Sequence, residues 1–162
     1  MLNKSQNILE KTREIKMFSK TQKTITREEI DEIEKSLGIT LPQELLEHYL
    51  KYNGGVPEKP CFYSEESDVE IEIQSFSPLK YSNDDLRTLE EKYVLFKEKS
   101  DLMTRYLPFA NDYGANRICI GLENGKIYVV YMDLGEITDD SVVLLADSFN
   151  EFIDGLEEPE DE

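Results

Sequence analysis

The sequence of 162 residues has no tryptophan, a single histidine and only two cysteines. One histidine excludes histidine clusters as metal or catalytic centres, and Cys61 and Cys119 form neither a disulfide framework nor a metal-binding motif. The sequence has no apolar run as long as a membrane span, no signal-peptide core at its N-terminus and no glycine-rich phosphate loop. These absences predict a cytoplasmic protein without metal or cofactor, whose thiols stay reduced.

Acidic side chains are abundant and unevenly distributed. The net charge is −17, and residues 1–24 carry six Lys/Arg against two acids, whereas the rest of the chain carries twelve against thirty-three. An acidic body disfavours nucleic acid and anionic membranes as partners and favours a basic protein. A second interpretation is that the acidic surface only keeps the protein soluble. Residues 1–24 are predicted to form a basic, helical arm, and residues 157–162 an acidic tail.

Two short helices are predicted after the arm. Thr26 and Glu29 have the spacing of a capping box, in which each side chain bonds the other residue's backbone N–H. Gly38 can adopt the left-handed conformation that ends a helix. Pro42 suits the first turn of the second helix, and the Asn-Gly-Gly run at residues 53–55 stops it. Both helices have one apolar face, which a sheet or other helices must cover.

The middle of the chain mixes strand and helix signals. Residues 69–73 alternate apolar and acidic side chains, which predicts a half-buried strand with its glutamates facing water. The polar run 82–85 is predicted to cap a helix that continues to about Lys99. Pro108 predicts that the strand around residues 106–110 lies at a sheet edge or ends there, because proline donates no backbone hydrogen bond.

The last third of the chain predicts a hairpin and a final helix. Asn124-Gly125 lies between two β-rich runs and is a strong hairpin signal. Residues 142–146 fit either a last strand or the apolar lead-in to a helix. Ser148 and Glu151 have capping-box spacing at the start of that helix.

Candidate catalytic chemistry is sparse. His48 lies at the flank of the second helix's apolar face, which favours a structural or surface role over catalysis. The pairs Asp84-Asp85 and Asp139-Asp140 lack the ligand spacing of a metal loop. Helix capping explains the first pair and a solvated loop explains the second. The sequence therefore predicts a binding protein and not an enzyme.

The ordered set of motifs resembles the SUKH superfamily, which contains the Smi/Knr-type domain. The matching pieces are Leu37-Gly38, Leu41-Pro42 and residues 50–55, 107–112, 116–120, 125–128 and 146–152. The resemblance covers residues 25–156. It implies one α+β domain, in which helices pack against a mostly antiparallel sheet.

For bacterial members, the resemblance implies an immunity protein that binds and neutralises a partner toxin, often a nuclease. Eukaryotic relatives serve as regulatory or scaffolding domains. We therefore predict non-enzymatic binding of a basic protein toxin through an acidic surface, and the alternative is a regulatory or scaffolding domain inside the cell. The residues predicted to contact the partner are acids in exposed segments and one turn tyrosine: Glu65, Glu66, Asp68, Glu70, Glu72, Asp112, Tyr113, Asp139 and Asp140. For each acid, an ordinary solvated surface is the competing interpretation.

Overall fold

The computed structural model describes residues 17–83, 86–132 and 135–160 of the chain. In these ranges the protein forms a six-stranded antiparallel sheet, a two-stranded antiparallel sheet and four α-helices. The α+β class with a mostly antiparallel sheet is therefore confirmed.

Each strand of the large sheet pairs with the next strand along the chain. The helices are α1 (Arg27–Leu37), α2 (Gln43–Lys51), α3 (Leu89–Lys99) and α4 (Phe149–Asp154). The small sheet pairs β1 (Phe18–Ser19) with β2 (Val56–Pro57). The large sheet contains, in spatial order, β3 (Cys61–Ser64), β4 (Val69–Phe76), β5 (Tyr106–Asp112), β6 (Arg117–Gly121), β7 (Ile127–Val130) and β8 (Val142–Ala146). Two 3-10 helices, Asp101–Arg105 and Asp139–Ser141, lead into β5 and β8.

The large sheet is buried on both faces along its central strands. Successive side chains of a strand point to opposite faces, so Ile118 and Ile120 join the main hydrophobic cluster whereas Cys119 joins a second one. All four helices contribute side chains to the main cluster, which also contains edge-to-face ring pairs such as Phe76–Phe109. The second cluster consists of Phe96, Met103, Cys119, Val130 and Ile137.

The sheet also curls, so that its two edge strands approach each other. The hydroxyl of Ser67, in the turn after β3, donates to the carbonyl oxygen of Leu144 in β8 at 2.6 Å. This curl leaves the outward face of the β3–β4 hairpin, opposite the main cluster, turned towards solvent.

Both predicted caps of α1 are confirmed. The backbone N–H of Glu29 donates to Thr26 Oγ1 at 3.2 Å, and the N–H of Thr26 donates to Glu29 Oε1 at 3.0 Å. Gly38 has a φ of 69° and donates its N–H to the carbonyl oxygen of Glu34. These two ends define a helix of the predicted length because both caps satisfy backbone groups that the helix leaves unpaired.

Asn53 does more than stop α2. Its side-chain Nδ2 donates to the carbonyl oxygens of Lys23 and Leu79, each at 2.9 Å, and its Oδ1 accepts the N–H of Leu79 at 2.7 Å. The side chain therefore joins the end of α2 to two segments that are distant in sequence.

The predicted start of α3 at residues 82–85 is wrong. The helix begins at Leu89, because Thr88 and Glu91 form a complete capping box that fixes the first turn there. Leu86 lies outside the helix and is 41% exposed. The predicted end at Lys99 is confirmed, and Asp84 and Asp85 lie outside the described residues.

The edge position predicted from Pro108 is also wrong. β5 lies between β4 and β6, inside the sheet. The pairing of β5 with β6 shifts its register between Pro108 and Ala110. A bulge of this kind accommodates a residue without a backbone N–H in an interior strand.

The predictions for the last third are largely confirmed. Gly125, with a φ of 72°, lies in the turn between β6 and β7, and residues 142–146 form the last strand. Ser148 caps α4 by accepting the N–H of Glu151 at 3.1 Å. Only half of the predicted capping box forms, since the Glu151 carboxylate accepts the N–H of Asp147.

The N-terminal arm contacts the domain through a strand. The described part of the arm, residues 17–24, contains β1 and no helix. The Phe18 ring is buried against His48 and Phe76, with ring centroids 4.8 Å away in both pairs. The helix predicted for the arm falls mainly on residues 1–16, which lie outside the described residues.

Candidate functional site

The β3–β4 hairpin separates apolar and acidic side chains onto opposite faces. Its register pairs Tyr63 with Glu70 and Cys61 with Glu72. Ile71 is buried in the main cluster, whereas its neighbours Glu70 and Glu72 are exposed, as the alternation predicts. The outward face of the hairpin therefore carries carboxylates beside a phenol ring.

The turn between the two strands adds three more carboxylates. Glu65, Glu66 and Asp68 are all exposed. The Tyr63 hydroxyl donates to Asp68 Oδ1 at 2.7 Å, and this hydrogen bond is the main cause of a raised pKa of Tyr63. We define the acidic hairpin surface as Tyr63, Glu65, Glu66, Asp68, Glu70 and Glu72. Residues 61–79 contain no Lys or Arg.

The C-terminal segment extends this surface, which the sequence did not predict. The N–H of Cys61 donates to the carbonyl oxygen of Glu157 at 3.0 Å, and the N–H of Glu157 donates back at 2.8 Å. Partial burial raises the pKa of the Cys61 thiol, and the nearby carboxylates of Glu72, Glu70 and Glu157 raise it further. The acidic tail thus starts beside β3, paired through its backbone at Glu157.

Tyr113 lies next to the acidic hairpin surface, and the buried Asp112 stabilises the turn that contains Tyr113. Tyr113 is 64% exposed, and its N–H donates to the carbonyl oxygen of Glu72. Asp112 is buried, and its Oδ1 accepts the N–H groups of Gly114 at 2.9 Å and Asn116 at 2.8 Å. The Asp112 carboxylate is therefore occupied in shaping the turn that presents Tyr113.

Asp139 and Asp140 occupy a different place. Both are exposed and form the start of the 3-10 helix before β8, where the sequence predicted a solvated loop. Burial raises the pKa of the Tyr106 hydroxyl, and the nearby Tyr128 and, to a smaller extent, Asp139 raise it further. Tyr106 packs on the second hydrophobic cluster, so this acidic pair is separate from the acidic hairpin surface.

His48 is a neutral imidazole that lies within a cluster of aromatic side chains. Its imidazole contacts Phe18, Phe76 and Phe149, with centroid distances of 4.8, 5.5 and 5.2 Å. Burial, with a smaller contribution from Lys51, lowers the pKa of His48 to about 4. Its Nε2 has no hydrogen-bond partner within the described part of the chain. The arrangement gives His48 a packing role.

The described residues give little support to other kinds of site. Among them, no three His, Cys, Asp or Glu side chains are grouped as a metal site. None of the helices in the described ranges is long and apolar enough to cross a membrane. Cys119 is fully buried and burial raises the pKa of its thiol, so it remains protonated.

The chain matches known proteins along most of its length. It is 30% identical over 143 residues to the SPbeta prophage-derived uncharacterized protein YokK of Bacillus subtilis (strain 168), and the match covers 81% of this chain and 74% of the relative. Residues 24–155 match the SMI1 / KNR4 family (SUKH-1), a range that includes α1 to α4 and the whole large sheet. The resemblance seen in the sequence is confirmed, and the chain belongs to the SMI1 / KNR4 (SUKH-1) family.

Proposed function

We propose that this protein is an immunity protein, which neutralises a basic protein toxin by binding it directly through the acidic hairpin surface. The SUKH family is generally non-enzymatic, and SUKH domains act as immunity proteins. A relative carried by a Bacillus subtilis prophage supports a bacterial setting. The function would then depend on recognition of a partner and not on chemistry at a pocket.

The observation that carries the proposal is a surface whose charges are all negative, on a hairpin that is anchored in the hydrophobic core. Phe62, Ile71 and Ile73 anchor β3 and β4 in the main cluster. Glu70 and Glu72 project from the other side, with the turn acids beyond them. Like charges so close together repel one another, and a basic partner would relieve that repulsion. The surface is therefore already arranged for a cationic protein before binding.

Charge of this kind acts mainly on the rate of encounter. Complementary fields accelerate association, up to the order of 10⁸ M⁻¹s⁻¹ at low salt. An immunity protein benefits from a fast encounter because it must bind the toxin before the toxin reaches its target.

The two tyrosines can supply the apolar part of the contact. Tyr63 and Tyr113 are 52% and 64% exposed, and tyrosine is enriched among residues that contribute most to interface free energy. The Asp68 hydrogen bond holds the Tyr63 hydroxyl in place, which lowers the entropy that this side chain loses on binding. We infer that the acids guide the partner and the tyrosines anchor it.

A nuclease toxin is the partner class that this surface suits best. Nucleases bind phosphate groups with Lys and Arg. An acidic face can contact those same side chains and block the path of the nucleic acid. The mechanism is steric occlusion of the toxin's binding surface, reinforced by electrostatic attraction.

The experiment that tests this proposal compares two charge-reversal variants with the same change in net charge. The protein and the product of its neighbouring gene are co-expressed, and growth and co-purification are measured. Glu70→Lys with Glu72→Lys is expected to abolish growth protection and slow association at least about tenfold at low salt, since the steering field is reversed. The control, Glu98→Lys with Glu123→Lys, changes two exposed acids on α3 and the β6–β7 turn and should leave protection intact.

Equal loss of protection in both variants would show that only the total charge matters. No effect in either variant would exclude the hairpin as the binding surface. If the neighbouring product is harmless and does not co-purify, the immunity function is wrong and the regulatory alternative is favoured.

A further inference from the structure

A groove with a mainly apolar surface lies between α1 and α3. Its volume is about 440 Å³, which is within the range of ligand-binding clefts. Ile33 and Leu37 line it from α1, and Val94 and Leu95 line it from α3. Val94 and Leu95 are 43% and 39% exposed, although α3 already buries other apolar side chains in the domain. Exposed apolar side chains that share one groove indicate a surface that another segment or protein covers.

The polar side chains of the groove give it a net negative charge. Glu90 and Glu91 line it together with Arg87 and Ser36, so it has two carboxylates and one guanidinium group. Glu90 Oε2 accepts the N–H of Lys80 at 2.9 Å, whereas Glu90 Oε1 is buried and has no hydrogen-bond partner in the described part of the chain. Burial is the main cause of a raised pKa of Glu90. A buried carboxylate oxygen without a partner is costly, and a cation in the groove would compensate it.

The longest stretch of chain outside the described residues is 1–16, and its first part matches the groove in character. The other such stretches have only two residues each, which is too short to fill the groove. Residues 1–9 contain a single charged side chain, the cation of Lys4. They also contain four apolar side chains, namely Met1, Leu2, Ile8 and Leu9.

The arm is long enough for these residues to reach the groove. Lys23 Nζ lies 4.7 Å from the centre of the Tyr81 ring, and the residue before Tyr81 donates its backbone N–H to Glu90. Lys23 is therefore near one end of the groove. The chain from Lys23 to Met17, where the described part of the arm ends, spans at most roughly 20 Å. About seven residues before Met17 can cover that distance back, and the first nine residues of the arm remain for the groove.

We propose that residues 1–9 dock in the groove between α1 and α3, with their apolar side chains against Val94 and Leu95 and with Lys4 beside Glu90. This contact covers the exposed apolar side chains and supplies the cation that the groove lacks. Because the segment belongs to the same chain, its effective concentration at the groove is of the order of millimolar, so even a weak contact forms. The groove lies outside the acidic hairpin surface, and the inference does not depend on the function proposed for that surface.

The fluorescence of one introduced tryptophan tests the docking in the full chain. The protein has no tryptophan of its own, so Leu9→Trp reports on that position alone. We expect blue-shifted emission, because the indole ring lies among apolar side chains, and the same emission at every protein concentration. Val94→Gln with Leu95→Gln, added to Leu9→Trp, should shift the emission to that of an exposed indole. Glutamine is a good helix former, so α3 is retained, as circular dichroism can verify.

Tyr63→Gln with Tyr113→Gln, also added to Leu9→Trp, is the matched control. Both tyrosines are at least as exposed as Val94 and Leu95, but they lie at the acidic hairpin surface. This pair of substitutions should leave the tryptophan emission unchanged.

Charge reversal at Lys4 tests the polar part of the contact. Lys4→Glu should reduce the ratio of docked to undocked chain about tenfold, measured from the same emission, because a charge-assisted hydrogen bond is lost and repulsion from Glu90 is added. Lys11→Glu makes the same change in net charge outside residues 1–9 and should have little effect.

Three results would overturn the proposal. The first is the emission of an exposed indole in Leu9→Trp itself. The second is a groove variant whose emission shifts no more than that of the hairpin control, which would place the segment elsewhere on the protein. The third is a blue shift that appears only at high protein concentration, which would make a second copy of the chain the occupant of the groove.

Discussion

Two regions of this protein use polar side chains in opposite ways. The first, which we call the strap junction, consists of Phe18, His48, Tyr52, Asn53 and Gly55, where the N-terminal segment packs against the end of α2. The second is the acidic hairpin surface. In the strap junction, Asn53 makes all its hydrogen bonds inside the protein, whereas Glu70 and Glu72 extend into solvent.

The two regions also differ in how far their backbone geometry tolerates a change of side chain. Gly55 has a φ of 104°, and a side chain there would place its Cβ 2.5 Å from the carbonyl oxygen of Ser19. No side chain fits at residue 55 unless the N-terminal segment around Ser19 moves away. Glu70 and Glu72 lie in ordinary extended backbone, where most side chains are tolerated. We therefore expect the strap junction to determine stability and the hairpin surface to determine binding.

The largest expected effect is in the strap junction. Asn53→Ala should lower the free energy of unfolding by about 3 kcal/mol. It removes the partner of the buried N–H of Leu79 and one hydrogen bond each to the carbonyl oxygens of Leu79 and Lys23. Urea denaturation measures this change. Asn150→Ala is the matched control, since Asn150 is exposed on α4, and it should stay within about 0.5 kcal/mol. Similar losses in both variants would contradict the role given to Asn53.

The next effect depends on pH and concerns His48. Its pKa is lowered to about 4 in the folded protein, so between about pH 6.5 and pH 4 the unfolded chain binds a proton that the folded chain does not. Stability from this group is therefore present above pH 6.5 and is lost as the pH falls towards 4. We expect a loss of about 2 kcal/mol between pH 7 and pH 5.

Urea denaturation at several pH values measures the His48 effect. His48→Phe keeps a ring in contact with Phe18, Phe76 and Phe149 but cannot titrate. Carboxylates contribute to the pH dependence of both proteins, so the difference between the two curves isolates His48. Parallel curves would show that the imidazole is protonated as readily in the fold as in the unfolded chain.

Much of the acidic hairpin surface could be predicted because its signals are local. The alternation at residues 69–73 and the turn acids lie within one short stretch, and the strand period alone fixes which side chains face water. The same holds for the capping box of Thr26 and Glu29. Such features depend on neighbours within four residues, which the sequence displays directly.

The features that were missed depend on partners far away in the chain. Pro108 is tolerated in an interior strand because the β5–β6 register shifts there, and Glu157 joins the surface because its backbone pairs with Cys61. In the strap junction, likewise, the side chain of Asn53 bonds Lys23 and Leu79, which lie 30 and 26 residues away in the chain. The wrong start predicted for α3 has a different origin. The capping-box pair Thr88 and Glu91 is visible in the sequence, and it fixes the start of the helix in place of the polar residues 82–85.

The smallest expected effect on stability is on the hairpin surface, and it completes the contrast with Asn53. Glu70→Gln with Glu72→Gln should leave the free energy of unfolding within about 0.5 kcal/mol of the original, because both side chains are exposed. Any change should be a gain at low salt, since the substitution removes repulsion among neighbouring acids, and added salt should reduce that gain. Urea denaturation at low and high salt measures both points. A loss as large as that of Asn53→Ala would mean that the glutamates hold β4 in place, and a face that stabilises the fold in this way could not be reserved for a partner.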